Sequence, residues 1–127
     1  MSYPEIVVGG FCINNKDQKK ICLVKTVKNP DEWSLPGGRI EYGERVEDAL
    51  RRELDEEVSL KISNISFLGW GEYITKKRHF IFFDYLCYAI GDPAIKIPSE
   101  IIEVAWLSLN AEEIPRRIKD QIKIYKL

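Results

Sequence analysis

Residues 38–60 read Gly-Arg-Ile-Glu-Tyr-Gly-Glu-Arg-Val-Glu-Asp-Ala-Leu-Arg-Arg-Glu-Leu-Asp-Glu-Glu-Val-Ser-Leu. Two periodicities overlap in this stretch. Val46, Leu50, Leu54 and Val58 recur every fourth residue, and Ala49 widens the stripe, so 46–58 is predicted to be a helix with one apolar face. Glu44, Glu47 and Asp48 stand near its N-terminus, where the helix dipole favours negative charge. Glu53, Glu56 and Glu57, at i, i+3 and i+4, share a second face. Like charges at this spacing cost a few tenths of a kcal/mol each. A bound hard cation reverses the sign, and oxygen-only clusters suit magnesium, manganese or calcium. Spacing alone is equally met by a solvated acidic face.

The residues before the helix shift that balance. Asn29 to Gly43 reads as a loop with two glycine clusters, Leu35-Pro36-Gly37-Gly38 and Glu41-Tyr42-Gly43. A long loop in a small domain is usually functional. Glycine lets backbone approach a ligand closely, and loop carbonyls can join a metal shell.

Outward from here the chain alternates strands and helices. Glu5 to Ile13 and Ile21 to Val27 read as strands about the polar turn Asn14 to Lys20. Ile62 to Ile74 and His79 to Ile90 read as a hairpin with the basic tip Lys76-Lys77-Arg78. Glu103 to Leu107 is a short strand, and Ile114, Ile118, Ile122 and Tyr125 mark a C-terminal amphipathic helix with Pro115 in its first turn. This order predicts an α/β fold, a mixed sheet covered by helices, in one domain over 1–127.

Composition sets limits. The chain has 127 residues, 45% hydrophobic and 31% charged, as expected of a globular domain. A net charge of −1 without a basic tail gives no reason to expect a nucleic-acid partner. Cys12, Cys22 and Cys87 fit no metal or redox motif and lie in apolar runs, so buried reduced thiols are expected. With no signal-like segment and no apolar run near the roughly 20 residues of a membrane span, no membrane role and a cytoplasmic location are expected.

Gly38, five residues, Glu44, seven residues, then Arg52-Glu53-Leu54-Asp55-Glu56-Glu57-Val58-Ser59-Leu60 resembles the Nudix box of the MutT-like hydrolases. Every fixed position matches except the last glycine, here Ser59. The approach through Leu35-Pro36-Gly37-Gly38 and a late Trp106 are also family-like. The resemblance implies a Nudix fold, a mixed sheet sandwiched between helices. It implies a magnesium-dependent pyrophosphohydrolase, with manganese a substitute, cutting a nucleoside diphosphate linked to another group. Carried over by position, Glu53, Glu56 and Glu57 are metal ligands, Glu57 foremost, with Glu53 or another of them acting as base. A carbonyl at Gly37 or Gly38 completes the shell. Glu44 and Arg52 resemble the pair that braces the loop against the helix. Glu100, six residues before Trp106, resembles an extra metal-binding glutamate, with Glu103 as competitor. Relatives are often homodimers.

Other candidates are weaker. Lys25, Arg39 and Arg78, with Lys28, Lys76 and Lys77, are phosphate-binding candidates that also suit plain surface cations. His79 is a general-base candidate or an ordinary strand-end residue. Trp33, Trp70 and Tyr73 are candidates for stacking on a base or for the core. Pro115-Arg116-Arg117-Ile118 lacks the asparagine with which 8-oxo-dGTP hydrolases read the purine, and no proline marks an ADP-ribose hydrolase. A small nucleotide, such as a nucleoside triphosphate, is the expected substrate. The alternative, a nucleotide-sensing Nudix-like domain without catalysis, would be signalled by degenerate box carboxylates, and none is missing.

Ser59 departs from the family at a position that commonly needs a left-handed backbone. A serine there costs about 1 kcal/mol if that backbone is kept. This bears on stability and not on the carboxylates.

Overall fold

A computed structural model describes residues 3–127. Six strands and two helices follow in the order β1 (Glu5–Asn14), β2 (Lys20–Thr26), β3 (Gly37–Arg39), α1 (Val46–Val58), β4 (Ser63–Ile74), β5 (His79–Ala89), β6 (Ile101–Ser108) and α2 (Arg116–Ile124). The sheet runs β4-β5-β1-β2-β6, with β3 added on β1. β1 and β5 are parallel and the other pairs antiparallel, so the sheet is mixed as expected. No helix among the described residues is long and apolar enough to cross a membrane.

The sandwich follows from strand alternation. On β1 and β2, Val8, Cys12, Cys22 and Val24 face one side, where Ala49, Leu50, Leu54 and Val58 of α1 are buried against them. Phe11, Ile13, Ile21 and Leu23 face the other side and meet Ile114, Ile118 and Ile122. Gly10 leaves room for α1: a Cβ there would stand 3.1 Å from a Leu50 methyl carbon. The three cysteines are free thiols buried in this packing, as expected.

β1 changes partner along one edge, and this positions the site. Its first half pairs with β3, Val7 opposite Arg39 and Gly9 opposite Gly37, while its far end meets β2 at Ile13 and Ile21. Between these pairings the loop enters the sheet: Gly10 N–H donates to the Pro36 carbonyl at 3.0 Å, and Ser34 bridges to Val24. β3 lies within the stretch 29–43 expected to be loop. Three residues without apolar alternation carry no strand signal, and β3 exists because β1 offers it unpaired backbone groups.

Two other boundaries moved. β6 is longer than expected, beginning at Ile101. α2 begins at Arg116 with Pro115 as N-cap residue and Tyr125 as C-cap, so Ile114 and Tyr125 flank the helix.

Ser59 takes the backbone predicted for the missing glycine, φ 59° and ψ 32°. Its N–H donates to the Asp55 carbonyl and Leu60 N–H to that of Leu54, closing the helix end. The hydroxyl repays part of the conformational cost: Oγ donates to the Ala94 carbonyl at 3.1 Å, beside a bond from Ala94 N–H to the Val58 carbonyl at 2.9 Å. Ser59→Ala loses that bond and keeps the strain, for an expected loss of about 1 kcal/mol. Ser59→Gly loses the bond but relieves the backbone, and should stay within about 0.5 kcal/mol of the parent in urea denaturation. Equal losses in both variants would show that the hydroxyl bond contributes nothing.

Candidate active site

The site forms where β3 crosses the acidic face of α1. Gly37 N–H donates to Glu57 Oε1 at 2.8 Å, and Gly38 lies flat on the Glu53 carboxyl group. A Cβ on Gly38 would stand 2.6 Å from both Glu53 oxygens, and one on Gly37 would stand 2.9 Å from the Gly9 Cα. Gly37 tolerates no side chain, because its neighbours there are backbone, and a side chain on Gly38 would have to displace the Glu53 carboxyl group. The loop backbone thus approaches the Glu53 and Glu57 carboxyl groups closely.

Arg52 holds the acids and the loop in one network. Its Nε and Nη2 donate to the two Glu44 oxygens at 2.7 and 3.0 Å, a bidentate pair. Nη2 also donates to the Arg39 carbonyl at 3.0 Å, and Nη1 to Glu53 at 2.9 Å and Glu56 at 3.3 Å. Glu44 in turn accepts from Glu41 N–H at 3.1 Å. The Arg52 guanidinium and this backbone bond hold the Glu44 carboxyl down at about 2. The bracing inferred for Glu44 and Arg52 corresponds to this geometry.

Glu57 has the opposite environment. Burial pushes its carboxyl up to about 8 despite the Gly37 hydrogen bond, and the charges of Glu53, Glu100 and Glu56 push the same way. Glu53 is also raised by burial, which outweighs the hydrogen bond from Arg52. Glu100 adds repulsion to both acids, so it stands in their electrostatic neighbourhood. Its competitor Glu103 pairs instead with Lys25 on the neighbouring strand at 3.7 Å.

Among the described residues no three acids converge into a ready-made cation cage, because Glu56 turns toward Arg52. What exists is a buried Glu57, a half-buried Glu53, Glu56 beside them and carbonyls of a glycine pair. An oxygen-only donor set with excess negative charge fits a hard divalent cation.

The weaker candidates fall elsewhere. Lys25 lies over the Trp33 ring at 4.9 Å, and Trp33 is buried in the core. Arg39 and Arg78 both pair with Glu5, at 2.6 and 2.7 Å. Each of these three cations has an acidic partner within the protein. His79 Nε2 lies 3.4 Å from Glu72 Oε1 without hydrogen-bond geometry. Trp70 is exposed on β4, while Tyr73 lines a pocket.

That pocket was not foreseen. It has a volume of about 510 Å³ on the α2 side of the sheet, and Gly37 and Gly38 are part of its lining. Leu35, Phe80 and Phe82 form much of its wall. Asp84, 2% exposed, accepts on Oδ2 from Tyr125 Oη at 2.7 Å and Gln121 Nε2 at 3.1 Å. Burial raises its carboxyl, while the Tyr125 bond and the Arg117 charge pull it down. A signal was available in the sequence: Asp84 is the one acid in the run Phe80-Ile-Phe-Phe-Asp-Tyr-Leu-Cys-Tyr-Ala89, where a charge is rarely buried without purpose.

Comparison with known proteins agrees with this architecture. The chain is 46% identical over 60 residues to an RNA pyrophosphohydrolase of Ruthia magnifica subsp. Calyptogena magnifica, covering 47% of this chain and 32% of that one. It is 37% identical over 86 residues to an 8-oxo-dGTP diphosphatase of Buchnera aphidicola subsp. Schizaphis graminum, covering 65% and 63%. These matches span less than two thirds of the relatives' own lengths. The crystal structure of a MutT NUDIX hydrolase from Burkholderia pseudomallei superposes with a TM-score of 0.81 at 22% identity, covering 96% of this chain and 98% of that one, and shows the same fold. The family model for the NUDIX domain matches residues 4–127, and with the box on β3 and α1 the chain belongs to the NUDIX domain family.

Proposed function

We propose that this protein is a magnesium-dependent pyrophosphohydrolase acting on a nucleoside diphosphate linked to a further group, with a nucleoside triphosphate or similar small nucleotide as substrate. The observation that carries the proposal is the position of Gly37 and Gly38. One side of this backbone meets the Glu53 and Glu57 carboxyl groups and the other borders a nucleoside-sized pocket. The names of the Ruthia and Buchnera relatives support cleavage at a phosphoric anhydride.

In this reading Glu53, Glu56 and Glu57 hold magnesium, with a carbonyl of Gly37 or Gly38 and with Glu100 as a further ligand. Magnesium bound there supplies charge neutralisation at the phosphates. Arg52 keeps Glu53 and Glu56 oriented and ties them to Glu44 and the Arg39 carbonyl, so the loop and helix hold one geometry. As an alternative to metal ligation, Glu53 is the candidate base that takes a proton from the attacking water, a reading supported by its half-buried carboxyl group against Gly38. The pocket wall excludes water from the base and ribose, leaving the phosphates at the glycine pair.

Two measurements test this. Phosphate and pyrophosphate release should be followed over canonical and oxidised nucleotides, ADP-ribose, NADH, dinucleoside polyphosphates and nucleotide sugars. Glu57→Gln is expected to lower magnesium-dependent turnover at least about 100-fold while the fold survives. Near-normal turnover in the folded variant would overturn the reading.

The second uses chelator-treated protein. Glu57 has an ordinary value of 4.5 and is held at about 8 when folded. The folded state therefore binds this proton more tightly than the unfolded chain. Stability should fall as pH rises from about 5 to about 8, by at most about 1.4 kcal/mol per unit from this residue. Magnesium should reverse the loss by binding the native state, and Glu57→Gln should flatten the slope. Chemical denaturation across pH, with and without magnesium, reads both effects. A flat profile, or no response to magnesium, would count against the site.

A further inference from the structure

The acids of the box account for the phosphate end of the site, but not for Asp84. This carboxyl group is almost fully buried, forms no ion pair among the described residues, and sits in the pocket 47 residues after Gly37 in sequence. Burying an unpaired carboxylate is costly, and a neutral side chain could accept the Tyr125 hydroxyl bond more cheaply.

The hydrogen bonds show what Asp84 leaves available. Oδ2 already accepts from Tyr125 and Gln121. Oδ1 accepts nothing from the described residues and lies beside Gly9, which has no side chain to cover it: a Cβ there would be in van der Waals contact at 3.8 Å. Gln121 must turn its amide nitrogen to the carboxylate, because an ionised carboxylate only accepts. Its Oε1 is then left as a second acceptor. Arg117, one helical turn before Gln121, supplies donors at the same pocket. Aromatic and aliphatic walls complete a slot for a planar ring.

Resting on the nucleotide-hydrolase reading, we propose that Asp84 and Gln121 read the base and select one that presents two adjacent N–H donors, as guanine does at N1 and N2. Adenine offers one amino group beside a ring acceptor. Uracil offers one N–H between two carbonyls, and cytosine one amino group beside an acceptor. Each places an acceptor against Asp84 Oδ1 or Gln121 Oε1. Guanine O6 is left to meet a donor, the role open to Arg117.

Binding of GMP, AMP, CMP and UMP should be measured by titration calorimetry with chelator present, so that turnover plays no part. GMP is expected to bind at least about tenfold tighter than the other three, the scale of one well-made pair of base contacts. Asp84→Asn is expected to reduce that preference to within about threefold. Because Asp84 also anchors α2, Gln121→Met, which keeps the volume and loses the amide, provides a second variant. Folding of each is checked by circular dichroism. Equal affinities, another preferred base, no binding at all, or an unchanged preference in the folded variants would overturn the proposal. Triphosphate turnover without a guanine preference would overturn it and leave the hydrolase standing. A guanine preference dependent on Asp84 without turnover would do the reverse.

Discussion

Everything at this site depends on how closely β3 can approach α1. The helix presents its acids at the height where the strand passes, and only backbone fits between the strand and those acids. Gly37 is pressed on Gly9 and Gly38 on Glu53. A methyl group on Gly37 would push the strand off β1, and one on Gly38 would displace the Glu53 carboxyl group. The same approach gives the Gly37 N–H to Glu57 and buries that carboxyl enough to raise it. The Gly37 hydrogen bond favours the ionised Glu57, but burial outweighs it.

Arg52 makes the arrangement tolerable. Four acids of one loop and one helix, Glu41, Glu44, Glu53 and Glu56, lie within 4 Å of its guanidinium, and the Arg39 carbonyl is a further partner. A lysine could match the charge but not the planar fork that engages Glu44 on two atoms while reaching Glu53 with a third. The balance is deliberately incomplete. Glu44 is held as a firm carboxylate, whereas Glu57, which receives only one backbone hydrogen bond, stays electrostatically unsatisfied. A site poised to take up positive charge is built from that difference.

What could be read from the sequence and what could not divides along a physical line. The α1 stripe and acidic face were legible because the helical period places both from spacing alone, and Ser59 was legible because helix ends have few backbone solutions. The alternating strands were placed within a residue or two at most ends. β3 was invisible because its pairing comes from β1 and not from its own residues. The partners of Lys25, Arg39 and Arg78 were also hidden, since Glu5 and Glu103 approach them through sheet register. Asp84 left a trace, a lone acid in an apolar strand, but its meaning required α2 to bring Gln121 and Tyr125 across 37 and 41 residues of chain.

The partner change of β1 has a consequence for how such a protein can diversify. The sheet acts as a partition: the acids stand on its α1 face, and Asp84 and its helix partners on the α2 face. The glycine pair of β3, held on β1, touches both: Gly37 and Gly38 meet the acids and also line the pocket. On β5 only the residues of the α2 face, such as Phe82 and Asp84, line the pocket, while Phe83, Tyr85 and Cys87 pack under the helix that carries the acids. If the proposed reaction is carried out by the acids and the base is held in the pocket, a change confined to the pocket wall would alter what is bound and leave the acids and Arg52 as they are.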